Sequence, residues 1–515
     1  MSLEKTDRTE QGGWWNSPPI LALLVVGFCI PLIWPAIPPL NDLPNHLARF
    51  HIELMAGKPS PLHQWYTFKW MLVPNIGFDL LIIPATHLFG LELGAKLLVI
   101  AIVALTVLGM LAFAREVHGY IPAPTLFALP LTYNFAFQLG FLNFTLGMAL
   151  ALLASAAWLN LGRRKLFWLR AALFAIISTI IFLAHSQAWG LFGIIIFGLE
   201  VGRFVREKRG YPAGIFLAGV SCLPLIPPLL LTFFWLPHAQ PGATYGFLYW
   251  PAKAVALASV FRNSSGIFDM LSAWVLFSLF YAGVFRKHLL IDASVIAVFL
   301  LMSLVFILMP VVVMASGFND ARIAPYLLAI GILGLRVLPD NRRFQSHIAL
   351  AALLFIGCRL AVQTWFYAKL DRGYQAQLVA LDHIPTGSRI VSLVNMPCFG
   401  DWHSPRLDHL SQMAIVRRDS FVNGQWTSIA MLSTHYPQGG QFVISPSHQT
   451  FPEECDQIGS YSVDYAIRHF PRGAFDYFWM VGFPPSRWPK DEGLQPVWRG
   501  TKGVLFRVVH AQRTR

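Results

Sequence analysis

Residues 91–115 read LELGAKLLVIAIVALTVLGMLAFAR, a long apolar run that ends on an arginine. Between residues 93 and 114 the run carries one charge, Lys96. It is long enough to cross the hydrocarbon core of a bilayer, which takes roughly 20 apolar residues. Runs of the same kind recur over most of the first 370 residues. The stretch therefore predicts the fold class, a polytopic α-helical membrane protein.

The composition of the chain agrees with this fold class. Of the 515 residues, 55% are hydrophobic and only 13% are charged, whereas soluble domains carry about 25% charged residues. A chain with so few charges cannot cover a water-facing surface of its size. The composition excludes a soluble enzyme, a disordered protein and a coiled coil.

Eleven segments have the apolarity of membrane spans. They run approximately over residues 17–39, 93–114, 120–136, 139–160, 167–185, 187–203, 211–236, 266–285, 291–314, 323–338 and 346–366. Basic residues gather in alternate connections, at Arg115, Arg163, Arg164, Lys165, Arg203, Arg206, Lys208, Arg209, Arg286, Lys287, Arg342 and Arg343. Because such residues favour the cytoplasmic side, we predict a multi-pass protein of the bacterial inner membrane. Its N-terminal tail, residues 1–16, is predicted to be cytoplasmic and its C-terminal domain periplasmic.

The net charge of +13 has the same origin. Residues 1–370 carry a net charge of +11, whereas residues 371–515 carry only +2. The basic excess therefore belongs to the apolar part, where membrane topology explains it. We predict membrane lipid among the partners and no nucleic acid.

The predicted transmembrane domain, residues 17–368, contains an unusually long outer-face loop over residues 40–92. Within it, Leu43–Met55 is predicted to form an amphipathic helix along the membrane interface. Residues 75–89 are apolar but too short for a full span, so they are predicted to be interfacial or re-entrant. Two further outward-facing segments are predicted at residues 237–265 and 316–326.

From about Lys369 the composition becomes that of a soluble protein, and residues 369–515 predict a small α/β domain. Short β-type runs alternate there with candidate helices and Pro/Gly turns. These runs are Arg389–Val394, Gln441–Ser445, Asp464–Arg468, Tyr477–Val481 and Gly503–Val509. Cys398 and Cys455 lie in the same domain, and the sequence leaves open whether they form a disulfide or stay free.

The motif that carries chemistry is NDLPNHLAR, residues 41–49. Asp42, His46 and Arg49 are spaced by four and three, so they share one face of a helix that begins near Asp42. A carboxylate, an imidazole and a guanidinium together supply the groups of a general base and a phosphate clamp. The alternative is structural: Asp42 caps the helix, and Arg49 anchors it to lipid headgroups.

The order of features around this motif resembles the N-terminal module of the GT-C glycosyltransferase superfamily. Asp42 follows the first span, and the surface helix DLPNHLARFHIELMAGK comes with it. A Pro-led apolar stretch, VPNIGFDLLIIPATHLFG, then leads to Lys96 at the entry of the next span. The match covers about residues 17–165. Asn41–Asp42 stands where the aminoarabinose- and O-mannosyl-transferase branches favour an Asp-Glu pair, so the resemblance identifies the superfamily and no single branch.

The resemblance implies an inverting glycosyltransferase that acts at the outer face of the inner membrane. Its donor would be a polyprenyl-phosphate-linked sugar, and its acceptor a lipid, a glycan or a protein. Asp42 would be the catalytic base that deprotonates the acceptor hydroxyl. Arg322, in NDARIAPY, resembles the late outer-loop arginine of several members and would bind the donor phosphate together with Arg49.

Other polar residues of the predicted outer face are candidates for substrate binding, namely His46, Lys69, His185, Lys253, Arg262 and Asp320. Several also have a structural interpretation. Arg322 either binds phosphate or forms a salt bridge with Asp320. His185 either lines a cavity or ends a helix with a hydrogen bond. Lys253 and Arg262 flank an apolar patch, where a basic side chain also serves to reach lipid headgroups.

The sequence requires no cofactor. Two groups of residues contain the right types for a metal site but lack the spacing of a ligand motif. They are Asp42 with His46, His51 and His63, and Asp401 with His403 and His409. We therefore predict no metal ligand, although a divalent metal is compatible with the transfer. Two other functions stay open: a lipid or glycolipid transporter or flippase, and a non-catalytic membrane scaffold.

Overall fold

The structure is a computed structural model that describes residues 13–235, 242–285, 289–338, 342–398, 401–426, 431–452, 455 and 462–510. Some predicted features lie outside these residues. They are the first twelve residues of the N-terminal tail, the beginning of the 237–265 segment, Arg286 and Lys287.

The described chain is mostly helical. Between residues 18 and 378 the α-helices are, in chain order, α1 (Pro18–Cys29), α2 (Leu43–Met55), α3 (Gly77–Phe89), α4 (Leu91–His118), α5 (Phe135–Leu139), α6 (Leu142–Arg163), α7 (Phe167–Ala184), α8 (Ser186–Arg206), α9 (Tyr211–Ser221), α10 (Pro228–Trp235), α11 (Trp250–Ala258), α12 (Gly266–Phe285), α13 (Ala293–Leu308), α14 (Asn319–Leu333) and α15 (Arg342–Leu378). The short helices α16 (Met413–Arg418) and α17 (Val463–His469) follow.

Six of the described helices are long and apolar enough to cross a membrane, namely α4, α6, α7, α8, α12 and α15. Four shorter apolar helices accompany them: α1, α3, α9 and α13. The multi-pass fold class is confirmed by these helices. The predicted number of eleven spans is not confirmed.

Prolines interrupt two of the predicted spans. The sequence predicts a span over residues 120–136, but residues 123–133 form a fully buried 3-10 helix with Pro122 at its N-cap, Pro124 in its first turn and Pro130 in its interior. The predicted span 211–236 is split into α9, a 3-10 turn and α10 by the prolines at 224, 227 and 228. Proline cannot donate the backbone hydrogen bond of an α-helix interior, so an apolar run containing several of them does not stay α-helical.

The chain divides into two compact units. The first, called here the membrane unit, comprises residues 1–33, 72–81 and 98–365. The second, called the sheet unit, comprises residues 34–71, 82–97 and 366–515. The loop that carries Asp42 therefore belongs to the same unit as the C-terminal region.

Close helix packing organises the membrane unit. Helix α8 packs against α6 and α13. At the α8–α13 contact, a side chain on Gly202 would overlap the backbone of Ser294. A short antiparallel pair of strands, β2 (Leu289–Ile291) and β3 (Leu335–Val337), completes the unit.

A buried ion pair joins α12 and α15 within the membrane unit. Arg359 Nη1 lies 2.8 Å from Asp269 Oδ1, and both side chains are almost fully buried. The other carboxylate oxygen accepts the backbone N–H groups of residues 263, 264 and 265 at 2.8, 3.0 and 3.2 Å. Asp269 thus holds the loop before α12 and neutralises Arg359 with one carboxylate.

A six-stranded sheet forms the centre of the sheet unit. β4 (Arg389–Asn395) runs parallel to β5 (Phe421–Val422), β7 (Gln449–Thr450) and β8 (Tyr477–Val481). β10 (Gly503–Val508) lies antiparallel between β8 and β9 (Leu494–Gly500). A separate antiparallel pair joins β1 (Tyr66–Phe68) to β6 (Leu432–Thr434).

Three of the predicted strands are confirmed as β4, β8 and β10, and two predictions are wrong. Residues 464–468 lie in α17, whose first turn is capped by a hydrogen bond from Tyr465 N–H to Ser462 Oγ at 3.2 Å. Residues 441–443 lie in a 3-10 helix that begins at Pro437. In both cases a residue that favours the start of a helix, Pro437 or Ser462, precedes a run whose apolar content is also typical of a strand.

The two cysteines of the sheet unit are joined. Cys398 and Cys455 form a disulfide, with their Cα atoms 5.5 Å apart. This settles the alternative that the sequence left open. Cys29, Cys222 and Cys358 are free thiols in the membrane unit.

Candidate functional site

The Asp42 carboxylate lies at the start of α2, where the sequence predicts it. The helix has the predicted bounds, Leu43–Met55, and Pro44 occupies its first turn, a position that suits proline. Asp42 is the N-cap residue, but its side chain makes no capping hydrogen bond. It instead accepts from Asn41 Nδ2 at 3.2 Å and lies 3.8 Å from His409 Nε2. The capping interpretation therefore does not describe the structure.

Helix α2 is covered by protein rather than lying as a bare interfacial helix. It packs against α16 and the 3-10 turn before it, and Asn45, Arg49 and Glu53 are buried. The Arg49 guanidinium lies 5.1 Å from the centre of the Phe50 ring. The Arg49 side chain is only 3% exposed, so other parts of the protein cover nearly all of it.

His46, also on α2, lies between two aromatic side chains, one from α2 and one from the C-terminal region. Its ring stacks on Phe50 at 6.0 Å between centres and meets the edge of Trp426 at 5.6 Å. Trp426 also contacts the ring of His409 at 4.9 Å. The indole thus links the imidazole of the predicted motif with a histidine from the C-terminal region of the same unit.

Around His409 the structure forms a buried cluster of an aspartate and two histidines. Asp408 Oδ1 lies 2.9 Å from His448 Nε2, and Asp408 Oδ2 lies 3.5 Å from His409 Nε2. Gln449 Nε2 donates to both oxygens of Asp408, at 3.1 and 3.0 Å. We call Asp408, His409 and His448 the Asp-His-His cluster. Asp42 lies next to this cluster, because its Oδ1 is 3.8 Å from His409 Nε2.

Burial and hydrogen bonding together determine the protonation of this cluster. It lowers the pKa of His409 to about 4, although Asp408 acts in the opposite direction, so the imidazole is neutral near pH 7. Burial also acts to raise the pKa of Asp408, but His409 and the hydrogen bonds from His448 and Gln449 outweigh it and lower that pKa below its ordinary value. The cluster therefore combines an ionised carboxylate with a neutral imidazole.

The edge of β4 positions the cluster. β5 pairs with the first residues of β4 and β7 with the last ones, which leaves Ser392 between them without a strand partner on that side. The Asn423 carboxamide fills this gap, since it accepts from Ser392 N–H at 2.6 Å and donates to Ser392 O at 3.1 Å. The following residue, Gly424, thereby meets His448, which directly precedes β7.

Gly424 is the position where the backbone must lack a side chain. Its φ is +95°, and a Cβ atom there would overlap His448 Nδ1. Gly57, in the same unit, has a φ of +81° with open space around it. We expect Gly57→Ala to lower the free energy of unfolding by about 1 kcal/mol through backbone strain alone. We expect Gly424→Ala to lower it by about 3 kcal/mol because it also displaces a buried ring.

Denaturant unfolding of the full-length protein measures both values. The difference between the two glycine variants isolates the steric contact with His448 from the cost of the positive φ. Equal losses would contradict the tight packing of Gly424 against the ring.

A second set of predicted residues meets within the membrane unit. Arg322 Nη1 lies 3.4 Å from His185 Nε2, and its Nη2 lies 3.3 Å from Ser316 Oγ. The guanidinium also stacks 4.1 Å from the centre of the Phe141 ring. His185 Nδ1 in turn accepts from Gln187 N–H at 3.1 Å, as expected for a histidine at a helix start.

Asp320 forms its ion pair with Lys253, whereas the structural interpretation of the sequence paired it with Arg322. Its Oδ2 lies 3.2 Å from Lys253 Nζ, and both side chains are 3% exposed. Lys253 Nζ also donates to the carbonyl of Met309. Arg262 stands 5.2 Å from the centre of the Phe135 ring. Lys253 and Asp320 therefore neutralise each other in the fold.

Lys69 does not join either set. It follows β1, is exposed, and its backbone N–H donates to Met431 O at 2.8 Å. The histidines grouped with Asp42 in the sequence also separate: His51 Nε2 lies 2.6 Å from Asp419 Oδ1, and His63 Nε2 lies 3.1 Å from Met55 O. Asp401 and His403 are exposed, whereas His409 is buried.

Sequence reasoning missed Asp408 and His448. Within the part of the chain that the structure describes, Asp408, His409 and His448 are the group of acidic, histidine and cysteine residues whose ligand atoms converge as in a metal site. The adjacent pair Asp408–His409 was a visible signal. No pattern in the sequence pointed to His448, since 38 residues lie between it and His409. Only the pairing of β7 with β4 in the sheet brings His448 close to the other two residues.

Comparisons with known proteins find likeness in structure alone. No protein-family model matches the chain, and no curated protein matches it in sequence. The crystal structure of ArnT from Cupriavidus metallidurans in the apo state is similar, with a TM-score of 0.50 and 15% identity over 94% of this chain and 96% of that one. The structure of the same protein bound to undecaprenyl phosphate has a TM-score of 0.47 at 15% identity and the same coverage. The chain thus shares its fold with ArnT over nearly its whole length.

Proposed function

We propose that the protein is an integral-membrane glycosyltransferase that moves a sugar from a polyprenyl-phosphate donor to a lipid, glycan or protein acceptor. The observation that carries the proposal is the Asp42 carboxylate. It is only 8% exposed, it makes no capping hydrogen bond, and it stands beside a histidine of low pKa. The fold shared with ArnT over 94% of the chain supports the same class of protein.

In the proposed reaction Asp42 is the general base. Its carboxylate takes the proton from the acceptor hydroxyl as the oxygen attacks the anomeric carbon of the donor sugar. The bond from that carbon to the phosphate oxygen breaks, and the polyprenyl phosphate leaves with the bonding electrons. A single displacement of this kind inverts the anomeric configuration.

Arg49 and Arg322 are the cations proposed for the donor phosphate. A guanidinium suits this role because its planar donors match phosphate oxygens. His46, Lys69, His185, Lys253, Arg262 and Asp320 remain proposed substrate-binding residues. Lys253 and Asp320 serve best together, since their buried ion pair would be costly to break.

The reaction is proposed to take place on the periplasmic side of the inner membrane. The Cys398–Cys455 disulfide supports this side for the C-terminal region, because such bonds persist in oxidising compartments. The clusters of basic residues between the predicted spans support a cytoplasmic position for the opposite loops.

The test is release of polyprenyl phosphate by the full-length protein in proteoliposomes. A panel of synthetic polyprenyl-phosphate sugars is supplied together with a membrane-lipid extract as a source of acceptor, and lipid products are resolved by mass spectrometry. We expect one donor to yield free polyprenyl phosphate and a product heavier by one sugar. Transfer of intact donor between leaflets with no release for any sugar would overturn the proposal in favour of a flippase.

A further inference from the structure

We propose that the Asp-His-His cluster of the sheet unit is a binding site for a divalent first-row metal ion, with Zn²⁺ as its natural probe. The site would be held by Asp408, His409 and His448, which lie outside the helix motif of Asp42. Its existence does not depend on the proposed transfer reaction, so the two can be tested separately.

The donor set is the first argument. Two imidazoles and one carboxylate each offer a ligand atom, and the three atoms lie within 4.8 Å of one another. Two histidines and a carboxylate form a recurring ligand set for zinc and other first-row metals, and they leave at least one coordination position open. All three residues are buried, so the site is shielded from competing water.

The distances are the second argument. Ligands about 2.1 Å from a tetrahedral zinc ion lie about 3.4 Å from each other. Asp408 Oδ1 lies 2.9 Å from His448 Nε2, and Asp408 Oδ2 lies 3.5 Å from His409 Nε2, so each oxygen faces one imidazole. Both separations lie within about half an ångström of the tetrahedral spacing.

The surrounding side chains provide the third argument. A metal-bound histidine usually presents its second ring nitrogen to an acceptor, and a ligating carboxylate is itself hydrogen-bonded. Gln449 supplies the hydrogen bonds to Asp408, at 3.1 and 3.0 Å. The Asn45 carboxamide lies with its Nδ2 3.3 Å from His409 Nδ1 and 3.5 Å from the carbonyl oxygen of Gly424. Rotation of that carboxamide presents Oδ1, an atom without a hydrogen-bond partner among the described residues, as the acceptor for His409 Nδ1–H.

The proposed metal site lies close to the Asp42 carboxylate. Asp42 Oδ1 lies 3.8 Å from the same His409 Nε2 that would bind the metal. The open coordination position therefore lies within reach of the Asp42 carboxylate, which would serve either as a fourth ligand or as a neighbour of a bound anion.

The test uses tag-free full-length protein in detergent, stripped with chelator and titrated with Zn²⁺. We expect one tightly bound ion per chain by elemental analysis after desalting. His409→Gln and His448→Gln should each weaken binding at least 100-fold, while His403→Gln, an exposed histidine of the same region, should leave it unchanged. Asn45→Ala should weaken it about 10-fold through loss of the supporting acceptor.

Two results would overturn the proposal. One is zinc binding that is equal in the wild type and in folded His409→Gln and His448→Gln variants, since the ion would then lie elsewhere. The other is an X-ray absorption spectrum of the zinc-loaded wild type that lacks two imidazole ligands. This second measurement needs no variant, so it decides the matter even where the substitutions prevent folding.

Discussion

Replacement of Asp42 by asparagine is expected to lower the rate of sugar transfer by about a thousand-fold, within the 10²–10⁴ range typical of a lost general base. The amide has nearly the shape of the carboxylate but cannot accept the acceptor proton. The Asn41 Nδ2 hydrogen bond to Oδ1, 3.2 Å long, can persist, so α2 should begin at the same residue. Turnover of the donor identified in the proteoliposome assay measures the effect.

An exposed carboxylate of the same unit provides the matched control. Asp382 is 74% exposed, and its one ion pair among the described residues is with Arg418, whose side chain is 31% exposed. Asp382→Asn should therefore keep wild-type turnover. If folded Asp42→Asn protein keeps more than a tenth of the wild-type rate, Asp42 is not the base, and the proposed mechanism is wrong even though the protein remains a transferase.

Asp269→Ala should destabilise the membrane unit by about 3–5 kcal/mol, the cost of removing one partner from a buried ion pair. Arg359 would keep its charge without the carboxylate 2.8 Å away. Three backbone N–H groups, those of residues 263 to 265, would also lose their acceptor. Thermal unfolding of the full-length protein in detergent should show the largest loss of any single change described for this chain.

Asp292 offers a comparison at a helix start of the same unit. Its carboxylate accepts from Ser294 N–H at 2.9 Å and lies 3.3 Å from the exposed Arg206 side chain. Asp292→Ala should cost about 1 kcal/mol, since caps and surface pairs are worth that much. Asp269→Asn should fall between the two, because the amide keeps an acceptor but loses the charge. Equal losses for the two alanine variants would show that burial adds nothing to the Asp269 contacts.

The sequence predicted those parts of the fold that depend on local pattern. The bounds of α2 follow from the proline and the apolar spacing that begin at Leu43, and β4, β8 and β10 follow from short apolar runs between turns. The same local rules failed at residues 120–136 and 464–468. There, prolines or a serine cap select a different backbone from the one the apolar content favours.

In the candidate site, too, the residues that are close in sequence could be predicted together, and the distant ones could not. Asp42, His46 and Arg49 lie within two turns of one helix, so their spacing alone brings them together. His409, which lies 3.8 Å from the Asp42 carboxylate, comes more than 360 places later in the chain, and no periodicity connects the two residues. The pairing of Lys253 with Asp320 likewise joins two helices that the sequence could only treat separately.

What the amino-acid sequence determined by itself is the membrane class, the charge distribution and the helix that begins at Asp42. These depend on hydropathy and on residue spacing, both of which act over a few turns of chain. Only the tertiary structure decided what the carboxylate faces. Parallel pairing of β7 with β4 brings His448 to Asp408, and the gap filled by Asn423 leaves room for Gly424 beside it. Such contacts arise from the packing of distant segments, which no local pattern encodes.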